Sequence, residues 1–148
     1  YLRAIRELVP HVQGSADSGM RAVSAAENIV RSIERLDGEL ADLARDAGPG
    51  EEHRLSTQLE SLESRGAGDT RERVELRDLV RHQLELVRRL RSRREVVLRQ
   101  RSHFIDLLKS LWTCVRDACE SQDGNLDAVK RLDDLCGRIH IEIEAKIS

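Results

Sequence analysis

Aromatic side chains are nearly absent, with one Trp, one Tyr and one Phe in 148 residues. That scarcity excludes a thick globular core built on large rings, and it removes the stacking platforms that usually hold single-stranded nucleic acid. Proline is almost as rare, at Pro10 and Pro49 alone, so little in the backbone interrupts long helices. The three cysteines, Cys114, Cys119 and Cys136, are an odd number with no CxxC pair, which excludes a disulfide framework and fits a reducing compartment, the cytoplasm. No apolar run approaches the roughly 18 residues that a membrane span requires, and the first residues lack the basic-then-apolar layout of a signal peptide. A net charge of −2 supplies no global field toward nucleic acid or an anionic membrane, so such binding would need a local patch. Motifs of the GxSxG, Walker and HExxH kinds are missing too, and thin helical seams rarely enclose a reaction pocket, so no enzyme and no cofactor is expected.

What is present is charge, 35% of residues, laid over helical periodicity. From Arg71 to Ser121 the chain has no Gly or Pro, and one seam runs through it: Leu76, Val80, Gln83, Val87, Leu90, Arg94, Val97, Arg101, Phe104, Leu108, Leu111, Val115, Ala118. Steps of three and four are the heptad signature of a supercoiled helix contact. The spacing predicts one helix over 70–121, roughly 75 Å long at about 1.5 Å per residue, with Thr70 as its cap and Gly124 just past its end. Its interaction seam is assigned to Val87, Leu90, Val97, Phe104, Leu108, Leu111, Trp112 and Val115.

Before it, Ile5, Val9, Val12, Ala16, Gly19, Val23, Ala26, Val30 and Ile33 keep a similar phase through Pro10 and Gly14, and Leu36, Leu40 and Leu43 continue the stripe. This predicts a single helix over 2–46, kinked at Pro10; the alternative is a true break between Gln13 and Gly19. The small residues Ala16, Gly19, Ala22, Ala25 and Ala26 let another helix approach closely. Ala47, Gly48, Pro49 and Gly50 read as a turn at which the chain reverses, followed by a helix over 51–65. Gly66 to Asp69 reads as a bend in a long central helical run, with a full reversal as the alternative. Asn125 is placed as the cap of a last helix over 125–147; Ile139, Ile141 and Ile143 alternate as a strand would, but no other stretch offers a partner strand.

The first and last helices together cover about 70 residues, and 51–121 covers 71, which suggests that both fold back along the central run and bring Tyr1 and Ser148 together near Leu98. Leu79, Leu86, Leu98, Ile105, Leu107 and Trp112 lie outside the seams and need cover, and a homodimer with four-helix cross-sections would supply it.

Two groups invite a chemical role. Arg88, Arg89, Arg91, Arg93, Arg94, Arg99 and Arg101 form a basic patch in sequence, with Glu95 the one acid among them. At about 100° per residue they spread around the helix, which suits a solvated or internally paired run better than a phosphate-binding face. The seam arginines 94 and 101 would find Glu7, Glu142 or Glu144 if the chain ends met beside them. Cys136 and His140, four apart, begin a zinc spacing that lacks a fourth ligand. Glu51, Glu52, Glu60 and Glu63 read as solvent charges.

The expectation is therefore an all-α, single helical domain over 1–148, an elongated set of antiparallel hairpins or a coiled-coil rod. It would act as a non-catalytic scaffold or oligomerisation module, partnered by a second copy and by other proteins through helix faces. The alternatives are a signal-transmitting coiled-coil segment of a larger sensor or kinase, and a nucleic-acid-binding module working through Arg88 to Arg101. The chain opens on an amphipathic pattern at Tyr1 without an initiator Met, which suggests a segment of a longer protein.

Overall fold

The computed structural model describes residues 1–12, 16–64, 70–120 and 126–147, and these form an all-α arrangement of helices packed antiparallel. Five α-helices are present among them: α1 Leu2–Leu8, α2 Ala16–Asp46, α3 Glu51–Ser64, α4 Arg71–Glu120 and α5 Leu126–Ile147, with a 3₁₀ turn at Val9–His11. Helix α4 runs uninterrupted for 50 residues, as its lack of Gly and Pro predicts. It opens after Thr70, whose carbonyl accepts the amides of Arg73 and Val74. The stop and cap expected at Gly124 and Asn125 lie outside the described residues. Between α2 and α3, Gly50 adopts φ +88°, a left-handed conformation open to glycine at little cost, and its carbonyl accepts the Arg54 amide to start α3. The chain divides into two compact units, one of residues 1–37 with 100–148 and one of residues 38–99.

In the first unit the predicted helix over 2–46 is in fact broken. Pro10 has no amide to give back to residue 6, so α1 stops at Leu8, tightens into the 3₁₀ turn, and Val12 turns extended at φ −67°, ψ 110°. After this break α2 runs back along α1: Arg6 Nη2 donates to Glu27 Oε1 at 2.7 Å, although 21 residues of unbroken helix would separate them by about 31 Å. Gly19 makes the close approach possible, because a methyl group there would lie 2.7 Å from Val9 Cγ1. Ser18, Gly19, Ala22, Ala25 and Ala26 are all buried, in keeping with the close packing expected of small residues. Helix α1 lies along the end of α4, with Tyr1 against the Trp112 ring at 5.8 Å and Cys119 Sγ donating to the Leu8 carbonyl at 3.3 Å. Tyr1 is therefore at Trp112, about 21 Å along α4 from the predicted position at Leu98; Ser148 lies outside the described residues.

Helix α5 completes this unit antiparallel to α4, for Cys136 neighbours Cys114 while His103 meets Glu142 at 2.7 Å. It is helical throughout, so the alternating isoleucines form no strand. Ile139 and Ile143, four apart, are buried on one face, and Ile141 points outward at 66% exposure.

In the second unit the turn at Gly48–Gly50 does not reverse the chain as expected. Glu39 pairs with Arg93, Glu52 with Arg88 and Arg91, and Glu63 with Arg81. Both the end of α2 and all of α3 thus run down α4 in one direction, and the turn at Gly48–Gly50 is a sideways step with no reversal. Helix α3 and the first half of α4 are antiparallel; the bend expected at Gly66 to Asp69, and its alternative of a full reversal, lie outside the described residues. An unreversed helix would hold Glu52 and Arg91 about 58 Å apart, whereas they are bonded at 2.8 Å. Leu55, Val80 and Leu84 form the core here, with Leu59, Leu62 and Val87 packed against it.

Candidate interaction surface

Most of the predicted seam is occupied by the chain itself. Val97, Phe104, Leu108, Leu111 and Val115 are buried, while Trp112 is half-buried between Tyr1 and the Arg116 guanidinium, which sits 4.9 Å over its ring. Val87 and Leu90 are half-buried and line a groove of about 440 Å³ at the step from α2 to α3, together with Leu43, Ala47, Arg91 and Arg94.

The basic run is largely paired. Arg88 and Arg91 share Glu52 at 3.2 and 2.8 Å, Arg93 holds Glu39 at 2.7 Å, Arg101 holds Asp37 at 2.5 Å, and Arg89 binds Glu85 one turn back. Arg99 donates to the Glu95 carbonyl at 3.4 Å. Arg94 instead lines the groove. The partners proposed for the seam arginines are engaged elsewhere: Glu7 with Arg3, Glu142 with His103, Glu144 with His140. Three of the α3 acids are more than solvent charges, since Glu51 pairs with Arg54 and Glu52 and Glu63 reach across to α4, while Glu60 is exposed. Hydrogen bonds from Arg91 and then Arg88 hold the Glu52 carboxyl below its ordinary range, and the same bond to Glu52 raises Arg91.

On α4 an apolar face is left open. Leu79 and Leu86 are 54% and 52% exposed, Leu76 is 41% exposed, and Gln83 between them is exposed too. Steps of three, four and three put these four side chains in one sector about 80° wide. Leu90 and Val97 continue that sector upward, and there the last turns of α2 lie against it. Val80, Leu84 and Val87, which meet α3, lie about a quarter turn round the helix. The sideways step at Gly48–Gly50 thus moves the covering helix off this sector: below Leu90 the seam residues Val80 and Val87 are covered by α3, while the stripe of Leu76, Leu79, Gln83 and Leu86 is bare.

The chain matches no protein-family model, no curated protein and no solved structure. The remaining features must therefore be weighed on their own geometry. A groove of about 290 Å³ between α2 and α5 is lined by Arg21, Asn28, Asp133, Cys136 and His140 among others. Its charges are engaged: Ser18 Oγ donates to Asp133 Oδ2 at 3.1 Å, Arg21 pairs with Asp17 and His140 with Glu144. Burial pushes the Cys136 thiol up to about 11 and raises Cys114 and Cys119 as well. Among the described residues no group of three His, Cys, Asp or Glu side chains could hold a metal ion, and no helix is long and apolar enough to cross a membrane.

Sequence reasoning missed Leu84, buried at 5%, because it carried the seam through Gln83. It did flag Leu79 and Leu86 as residues outside the seams that require cover.

Proposed function

We propose that this chain is a non-catalytic helical interaction module whose docking surface is the bare face of α4 at Leu76, Leu79, Gln83 and Leu86. The observation that carries this reading is the apolar stripe at heptad spacing, left uncovered where the chain's own helix steps aside. A helix face of this kind is recognised by another amphipathic helix, through anchors three and four residues apart. The free thiols Cys114, Cys119 and Cys136 fit a reducing compartment, the cytoplasm. The paired arginines argue against a nucleic-acid role, since a phosphate backbone would have to displace Glu39, Glu52 and Asp37.

The test places a photo-crosslinking amino acid at Leu79 in cells. A discrete adduct that disappears with Leu86→Glu, and does not form from position 96 on another side of α4, supports docking at this face. Equal labelling from both positions, or an adduct indifferent to Leu86→Glu, overturns it.

A further inference from the structure

We infer that the partner docked on this face is a second copy of the same chain, lying antiparallel along α4; this rests on the docking surface just described. The contact continues an arrangement the fold already uses. At Leu90 and Val97 the same sector of α4 lies against an antiparallel helix, α2, and a second α4 below Leu90 would extend that contact where α2 is gone.

The stripe is complementary to itself in only one direction. In an antiparallel pair, Leu76 of each copy can face Leu86 of the other, and Leu79 can face Gln83. That register brings Glu75 to within half a turn of Arg89 of the second copy, and the two-fold axis repeats the pair, giving two ion pairs along one edge of the stripe. A parallel pair has no such match: Gln83 would meet Gln83, and Arg89 would approach Arg94 of the other copy, a like-charge contact. Glu75 and Arg89 now pair within their own helix, with Arg71 and Glu85, and both pairs are exposed. Such surface pairs contribute little and exchange readily. The edge on the other side of the stripe is closed in this pairing, because Val80, Leu84 and Val87 already face α3.

The contact runs from Glu72 to Leu90, about 28 Å of helix, at the small end of specific interfaces. A reversible, concentration-dependent dimer follows from that size.

Sedimentation equilibrium and cross-linking test the inference. The wild-type chain should pass from monomer to dimer below about 1 mM, the weak limit of specific association. Leu86→Glu should stay monomeric with unchanged helicity and melting temperature. Glu75→Arg and Arg89→Glu should each weaken the dimer several-fold, and the double exchange Glu75→Arg with Arg89→Glu should restore it. His82→Cys lies beside the two-fold axis and should form a covalent dimer on oxidation. Glu75→Cys and Arg89→Cys should cross-link when mixed, whereas each alone should not, the two copies being about 18 Å apart along the helix for residue 75 and about 24 Å for residue 89. A monomeric wild type at all concentrations overturns self-pairing while leaving the face free for another helix; if Leu86→Glu also unfolds the monomer, the face belongs to the chain's own core and the docking reading fails with it. A dimer that survives Leu86→Glu, or in which Glu75→Cys alone cross-links efficiently, overturns the antiparallel pairing.

Discussion

Gly19 and Gly38 occupy the interior of the same helix, α2, and replacing each with alanine should stabilise the chain at Gly38 but not at Gly19. In an open helical position alanine is favoured over glycine by about 0.8–1.0 kcal/mol, because glycine loses more backbone freedom on folding. At Gly38 nothing lies within 4 Å of the added methyl, so Gly38→Ala should gain close to that whole amount. At Gly19 the methyl would sit 2.7 Å from Val9 Cγ1 and 3.5 Å from the Val9 carbonyl oxygen. Val9 is β-branched, stiff about its first side-chain torsion, and held in the 3₁₀ turn by Pro10 beside it, so it cannot swing clear. Overpacking of this kind costs about 1–3 kcal/mol, which exceeds the propensity gain and leaves Gly19→Ala neutral to roughly 2 kcal/mol destabilised. The two variants should thus differ by about 1–3 kcal/mol, or several degrees in melting temperature for a chain of this length. Thermal unfolding followed by circular dichroism reads this directly. Val9→Ala combined with Gly19→Ala should recover much of the loss, because the clash needs both side chains. If Gly19→Ala melts as high as Gly38→Ala, α1 is not packed against α2 and the reversal between them is wrong.

Leu111→Ala should cost about 2–5 kcal/mol in chemical denaturation, since Leu111 is fully buried, while Leu79→Ala at its exposed position should be nearly silent; similar losses would contradict the division of α4 into covered and bare faces. Acidification should weaken the second unit through Glu52. Its carboxyl is held below the ordinary value of 4.5, so its contribution is present above that value and is lost as pH falls through the lower folded value; Glu52→Gln should flatten this part of the stability profile, measured by melts between pH 2 and 6. Cys136 should resist alkylation: with its thiol pushed up to about 11, only about 0.1% is thiolate at pH 8, so mass spectrometry after iodoacetamide treatment should find it the slowest of the three cysteines. Rapid labelling of Cys136 in the folded chain would contradict its burial.

Local chemistry in the sequence was enough to place α3, α4 and α5, though the break after Leu8 entered only as an alternative to one helix over 2–46. The absence of Gly and Pro after Arg71 gives α4, Gly48–Pro49–Gly50 separates α2 from α3, and the heptad phase from Val97 to Ala118 matches the face that is buried. The same logic identified the small residues of α2 and the uncovered leucines at 79 and 86. Direction is another matter. Pro10 and Gly48–Pro49–Gly50 both end helices, yet the chain reverses after the first and steps sideways at the second. A helix breaker removes backbone hydrogen bonds, which is a local effect. Where the next helix then lies depends on which apolar face it can cover, as when Leu55 finds Val80 and Leu84 and leaves Leu79 and Leu86 bare. The ion pairs show the same division: the sequence places seven arginines in one stretch, but Glu52, Glu39 and Asp37 reach them only through the antiparallel packing of helices distant in sequence.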